Sequence, residues 1–212
     1  MADDATALRL MLYDETCRGV GRRPLGLSHC WKAGGWLYRR LGRLDGCRGL
    51  CSWSEALDWL LAVEPERPIG EIQYWGHGKW GLARIGEQPL DAAALRPAHP
   101  LHDRLAGLRQ RLLPDGRSLW WFRTCETFGA ETGQRFARAW SDFFGCRTAG
   151  HTYIIAYHQS GLHSLSPGCL PGWPADEGLA RGSPAAPEEA RWSHRGAPNT
   201  ITCLHGRIPA GF

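Results

Sequence analysis

No stretch of this chain reaches the ~18 consecutive apolar residues that a membrane-spanning helix needs, so no membrane partner is expected. The opening Met1-Ala2-Asp3-Asp4 is acidic, with no positively charged lead into an apolar segment, and no secretory signal is read there. A cytoplasmic location is the expectation, although an effector exported without a cleaved signal would read the same. Basic residues are scattered rather than clustered: the formal charge of +4 is mild, and without a basic stripe no nucleic-acid partner is expected. The Gly-x-Gly-x-x-Gly fingerprint and the phosphate-cradling lysine motif are both missing, so nucleotide cofactors are unsupported and no cofactor is expected. Internal repeats are missing too.

What is present describes one globular domain, 1–212, long enough to bury a substantial core. From about residue 166 onward, prolines and glycines accumulate, which reads as a loop-rich C-terminal extension packed on that domain. The eight cysteines are spread over a domain large enough to do without disulfides, and mostly reduced thiols are expected. His29-Cys30 with Cys47 and Cys51 offers four ligand types, but the spacing is unlike common structural zinc patterns. No metal is expected. Cys17, Cys146, Cys169 and Cys203 read as small hydrophobes, and the aromatics around Trp31, Trp36 and Trp173 as core or cleft lining.

Several segments carry a clear secondary-structure signal. Ala7–Tyr13 reads as a mostly apolar strand. Asp14 to Leu27 reads as a long loop, and Ser28–Leu41 as a broken helix, or a loop over the core, because Gly34-Gly35 interrupts it. Ser52-Trp53-Ser54-Glu55 is a capping box opening a helix that Pro65 and Pro68 stop. Leu101–Leu113 and Thr132–Phe144 show helical apolar spacing, the latter closed by Gly145. Thr152–Tyr157 is β-branched and aromatic and reads as a buried strand. Strands alternating with helices predict an α/β fold with a mainly parallel central sheet.

Two runs carry the chemistry. Ile69-Gly70-Glu71-Ile72-Gln73-Tyr74-Trp75-Gly76-His77-Gly78 reads as a strand ending on an imidazole. Ser118-Leu119-Trp120-Trp121-Phe122-Arg123-Thr124-Cys125-Glu126-Thr127 reads as a strand ending on a thiol. Ligands of parallel sheets sit beyond the strands' carboxyl ends, so His77 and Cys125 are candidates for a catalytic dyad. The thiolate is the nucleophile, and a nearby imidazole stabilises it or protonates a leaving amine. The N–H groups of Gly78 and Cys125 are the candidate oxyanion donors, a contribution of roughly 3 kcal/mol each in comparable sites. His151 reads as a satisfied buried side chain more readily than as a functional one.

An apolar strand, His-Gly, about 50 residues, then a second apolar strand and Cys resembles the caspase-like cysteine peptidases: caspases, legumains, gingipains and bacterial CHAT-type proteases. Cys125-Glu126-Thr127 is similar to the Cys-Glu-Thr or Cys-Glu-Ser of the last group and of legumains. The resemblance covers roughly residues 6–165, and it departs from true caspases where Arg123-Thr124-Cys125 replaces Gln-Ala-Cys. It implies a three-layer α/β/α caspase-like fold and peptide-bond hydrolysis through a Cys125 acyl-enzyme, with His77 as general acid/base and a peptide or protein substrate. It also implies that Arg123 lines the specificity pocket, where its guanidinium would suit an acidic group, and that His158, Gln159 and Ser160 form the pocket wall. Two other functions use the same residues: a bacterial toxin acting on peptidoglycan peptides as amidase or transpeptidase, and a non-catalytic interaction domain.

Overall fold

A computed structural model describes residues 6–19 and 26–212. Its centre is a six-stranded sheet built from β1 (Leu8–Asp14), β2 (Gly46–Leu50), β3 (Ile69–Trp75), β7 (Gly116–Arg123), β8 (Cys146–His151) and β10 (Leu162–Leu165). The order across the sheet is β10-β8-β7-β3-β1-β2, with every pair parallel except β10 against β8. Four α-helices accompany it among the described residues: α1 (Leu27–Arg40), α2 (Trp53–Ala62), α3 (His102–Arg109) and α4 (Ala130–Phe144). Helices lie between successive parallel strands because such strands need long crossovers. None of the described helices is long and apolar enough to cross a membrane.

Alternation along the strands divides the core between the two faces. Leu8, Leu10 and Leu12 point with Ile72, Tyr74, Trp120 and Phe122 toward α2, α3 and α4. The α4 stripe Phe136, Trp140 and Phe144 is spaced at one turn, so its rings meet those of β7. Trp140 lies edge-on to Trp120 at 5.1 Å and to Phe122 at 5.5 Å. Each such side chain contributes about 1.5–3 kcal/mol on burial. On the opposite face, Met11, Tyr13 and Trp75 meet Tyr38 of α1, while Trp121 and Ala149 meet Ile201 from the C-terminal segment.

Ser52 caps α2 as its pattern predicts, its Oγ accepting from the Glu55 N–H at 3.1 Å, while Glu55 reaches one residue past the N-cap and accepts from the Cys51 N–H at 2.9 Å. Gly145 closes α4 in the left-handed conformation, φ 61°. Two expectations are corrected. First, α1 is continuous through Gly34-Gly35, because the glycines admit the sheet: a Cβ on Gly35 would lie 2.3 Å from Cys47 Sγ. Second, Thr152–Tyr157 is not a strand; the sheet strand is the preceding Cys146–His151, and only an isolated bridge at Ile154 follows. The long-loop expectation for Asp14–Leu27 lies partly outside the described residues.

Smaller strands complete the chain. β4 (His77–Lys79), β5 (Leu82–Ile85) and β6 (Gln88–Asp91) form an antiparallel meander after β3. β9 (His158–Gln159) pairs with β13 (Ile201–Thr202), and β11 (Leu179–Gly182) with β12 (Pro187–Ala190). The C-terminal extension is therefore built into the molecule, with Trp173 stacked on Phe128 at 5.6 Å.

Candidate active site

β3 and β7 are adjacent and parallel, with Trp75 opposite Arg123. The chain therefore leaves both strands at the same edge, toward His77 on one side and Cys125 on the other. Gly76 turns the first exit tightly. A Cβ there would lie 2.0 Å from the Tyr74 hydroxyl, which donates to the Arg84 carbonyl. His77 is half-buried, its ring edge-on to Trp31 of α1 at 5.7 Å. Gly78 is glycine because the cysteine loop closes on it. The space its Cβ would take holds Thr127 Oγ1 at 2.1 Å and Thr124 Cβ at 2.8 Å, so the residue admits the cysteine loop.

That loop is tied down on two sides. The Trp80 and Gly81 N–H groups donate to the carbonyls of Glu126 and Thr127 at 3.0 and 2.9 Å, joining it to the β4–β5 turn. The Glu126 and Phe128 N–H groups donate to the carbonyls of Tyr153 and His151 at 3.0 and 2.9 Å, joining it to the segment after β8. Glu126 and Ala130 take positive φ values of 45° and 61°, conformations unusual for residues with a Cβ and sustained only by surroundings that over-determine them. The His-Gly and Cys segments thus form one hydrogen-bonded unit.

Cys125 is partly exposed, and its Sγ lies 3.9 Å from the Ile155 carbonyl. Burial pushes its thiol up, with the Glu126 carboxylate adding and a backbone contact with Ile155 opposing. The thiol is therefore protonated at rest at neutral pH, and forming the nucleophile calls for a base. Glu126 itself is nearly buried, with one carboxylate oxygen lacking a hydrogen bond among the described residues and its carboxyl pushed up by burial.

The candidate pocket residues have other duties. Arg123 is 2% exposed, its guanidinium held between the Trp75 and Trp121 rings at 4.3 Å from each. It donates to Gln159 Oε1 at 2.7 and 3.1 Å, to the Tyr38 hydroxyl at 3.1 Å and to the His205 carbonyl at 2.9 Å. The chain's own groups fill the place where an acidic substrate side chain was expected. Gln159 is accordingly a buried partner of Arg123. Ser160 is buried as well, accepting from Thr200 Oγ1 and donating to the His194 carbonyl. His158 is half-buried against Tyr157 at 5.2 Å. His151 closes β8, fully buried, its Nδ1 3.1 Å from the Ser160 carbonyl.

Sequence reasoning missed the wall of the site. Tyr153 and Ile155 present backbone groups to the cysteine loop, and the apolar run that contains them reads as a strand by composition. Also missed was the pairing of His163 Nε2 with Glu177 at 2.9 Å, to which Thr152 donates at 2.9 Å. Among the described residues, no group of three or more His, Cys, Asp and Glu side chains is arranged to hold a metal. All eight cysteines are free thiols, and burial pushes Cys146 up to about 12, which makes it inert. No family model, curated protein or solved structure matches the chain.

Proposed function

We propose that this protein is a caspase-like cysteine hydrolase of three-layer α/β/α type, an endopeptidase with Cys125 as nucleophile and His77 as general acid/base. The supporting observation is the hydrogen-bonded unit joining the two segments beyond adjacent parallel strands. In this reading, His77 takes the Cys125 proton, and the thiolate attacks the substrate carbonyl carbon. The N–H groups of Gly78 and Cys125 receive the developing oxyanion. The imidazolium then protonates the departing amine, and water, deprotonated by the same imidazole, releases the acid from the acyl-enzyme.

The test is an unbiased peptide-cleavage screen with wild type and Cys125→Ala in parallel. Turnover should fall by about a thousandfold or more with the fold retained; full activity in the variant would sink the assignment. Peptidoglycan fragments offered alongside protein substrates separate the endopeptidase from an amidase or transpeptidase using the same dyad. The raised thiol favours one further reading, a non-catalytic interaction domain. In that case Cys125 should resist a thiol-directed electrophile at neutral pH.

A further inference from the structure

A second concave site lies near the opposite edge of the sheet, toward the amino ends of its strands. Its floor is one row of side chains crossing four strands: Arg9 opposite Glu71, Glu71 opposite Leu119, and Leu119 opposite Arg147. Neighbours in such a row are about 4.8 Å apart. Arg117, at the start of β7, and Arg207, from the C-terminal segment, complete the rim of a cavity of ≈ 400 Å³. Inner strands of a mainly parallel sheet are normally apolar on both faces. Here the central strand β3 instead carries a carboxylate, and arginines flank it two strands away on one side and one strand away on the other.

The charges do not cancel within the cavity. Arg9 is anchored outside it by Asp45 at 3.2 Å and by the Gly42 carbonyl at 2.9 Å. Glu71, the one carboxylate among the described lining residues, accepts from Gln73 Nε2 at 2.7 Å. Among the described residues, the guanidinium groups of Arg147 and Arg207 have neither a hydrogen bond nor an ion pair, so both present open planar forks. Such forks match phosphate oxygens bidentately. The volume falls in the range of small-molecule sites and is too small for a nucleic-acid duplex.

We propose that this cavity binds a small anion carrying two or more phosphate groups, held chiefly by Arg147 and Arg207 over the Arg9–Glu71 floor. The site is separate from the proposed dyad: the six steps along the chain from Leu119 to Cys125 span roughly 20 Å if fully extended. It does not rest on the hydrolase reading, and Cys125→Ala should bind the anion unchanged.

The experiment is calorimetric titration of the full chain with tripolyphosphate at fixed ionic strength, with sulfate as the matched control. Saturable one-to-one binding is expected, weakened by about tenfold in Arg207→Ala and further in Arg147→Ala/Arg207→Ala. Glu71→Gln should tighten it several-fold by removing the opposing charge. Arg207 is exposed, so its replacement leaves the fold intact. Equal affinity across these variants, or equal binding of sulfate, would overturn the proposal. So would displacement of tripolyphosphate by a short DNA duplex, which would assign the surface to nucleic acid.

Discussion

At the scale of single residues, Arg123 and His151 carry opposite lessons about burial. Arg123 keeps its charge inside the protein by spreading it over neutral oxygens and two indole faces. A lysine is a point charge that cannot reach Gln159, Tyr38 and His205 together, nor stack as a plane. Arg123→Lys should therefore destabilise the protein by about 2–4 kcal/mol in guanidinium denaturation. An unchanged midpoint with altered cleavage of acidic peptides would return Arg123 to the specificity pocket. His151 stays neutral instead. Burial lowers it to about 3, with the Arg123 and His163 charges adding. Because its folded value lies below the unfolded one near 6.5, the unfolded chain binds the proton first as pH falls. The stabilisation is complete above pH ~6.5 and is lost progressively toward pH 3, amounting to about 3 kcal/mol by pH 4. Denaturation midpoints of His151→Phe between pH 7 and 4 should decline less steeply than wild type by about that amount.

At the scale of elements, α1 separates propensity from packing. Gly34 and Gly35 both cost helix propensity, about 1 kcal/mol each relative to alanine. A Cβ on Gly34 would make an ordinary 3.4 Å contact with the Trp75 ring, whereas one on Gly35 would collide with Cys47 Sγ. Gly34→Ala should stabilise by up to about 1 kcal/mol, and Gly35→Ala should destabilise despite the same gain in propensity; thermal unfolding of the two variants checks both signs. The same contrast marks what the sequence could reveal. β3, β7, α2 and α4 were legible because apolar runs, a capping box and a one-turn aromatic stripe are local signals. β2, Gly-Cys-Arg-Gly-Leu, and β8, Cys-Arg-Thr-Ala-Gly-His, have neither alternation nor an apolar run, and become strands because the sheet offers them partners. Thr152–Tyr157 fails as a strand for the complementary reason: its backbone bonds to the cysteine loop, to Gly161 and to Arg191 instead of a ladder. His77 and Cys125 were visible because strand ends can be read from pattern, but Arg123's partners were not, since Tyr38, Gln159 and His205 are distant in sequence.

At the scale of the whole molecule, the C-terminal segment joins parts that the sequence keeps far apart. The carbonyls of Cys203 and His205 lie 2.7 and 2.8 Å from the Tyr38 hydroxyl of α1, and that of His205 also receives Arg123 from β7. Ile201 packs on Trp121 and Ala149, Arg43 donates to the Leu204 carbonyl, and Ser164 donates to the Phe212 carbonyl. A segment with little regular structure of its own thus solvates a buried cation and covers the apolar face of two central strands. Removing it would leave the Arg123 guanidinium short of acceptors beneath newly exposed indole rings, a loss of the kind that costs roughly 3–5 kcal/mol when a buried charge loses its partner. A chain ending at Thr200 should therefore unfold at a markedly lower guanidinium midpoint, with earlier exposure of tryptophan fluorescence to an aqueous quencher. The same chain should also bind tripolyphosphate at least about tenfold more weakly, since Arg207 leaves with the segment while Arg147 remains. Retention of the full midpoint would mean that the sheet holds Arg123 without this cover, and that the C-terminal segment is an appendage to the fold.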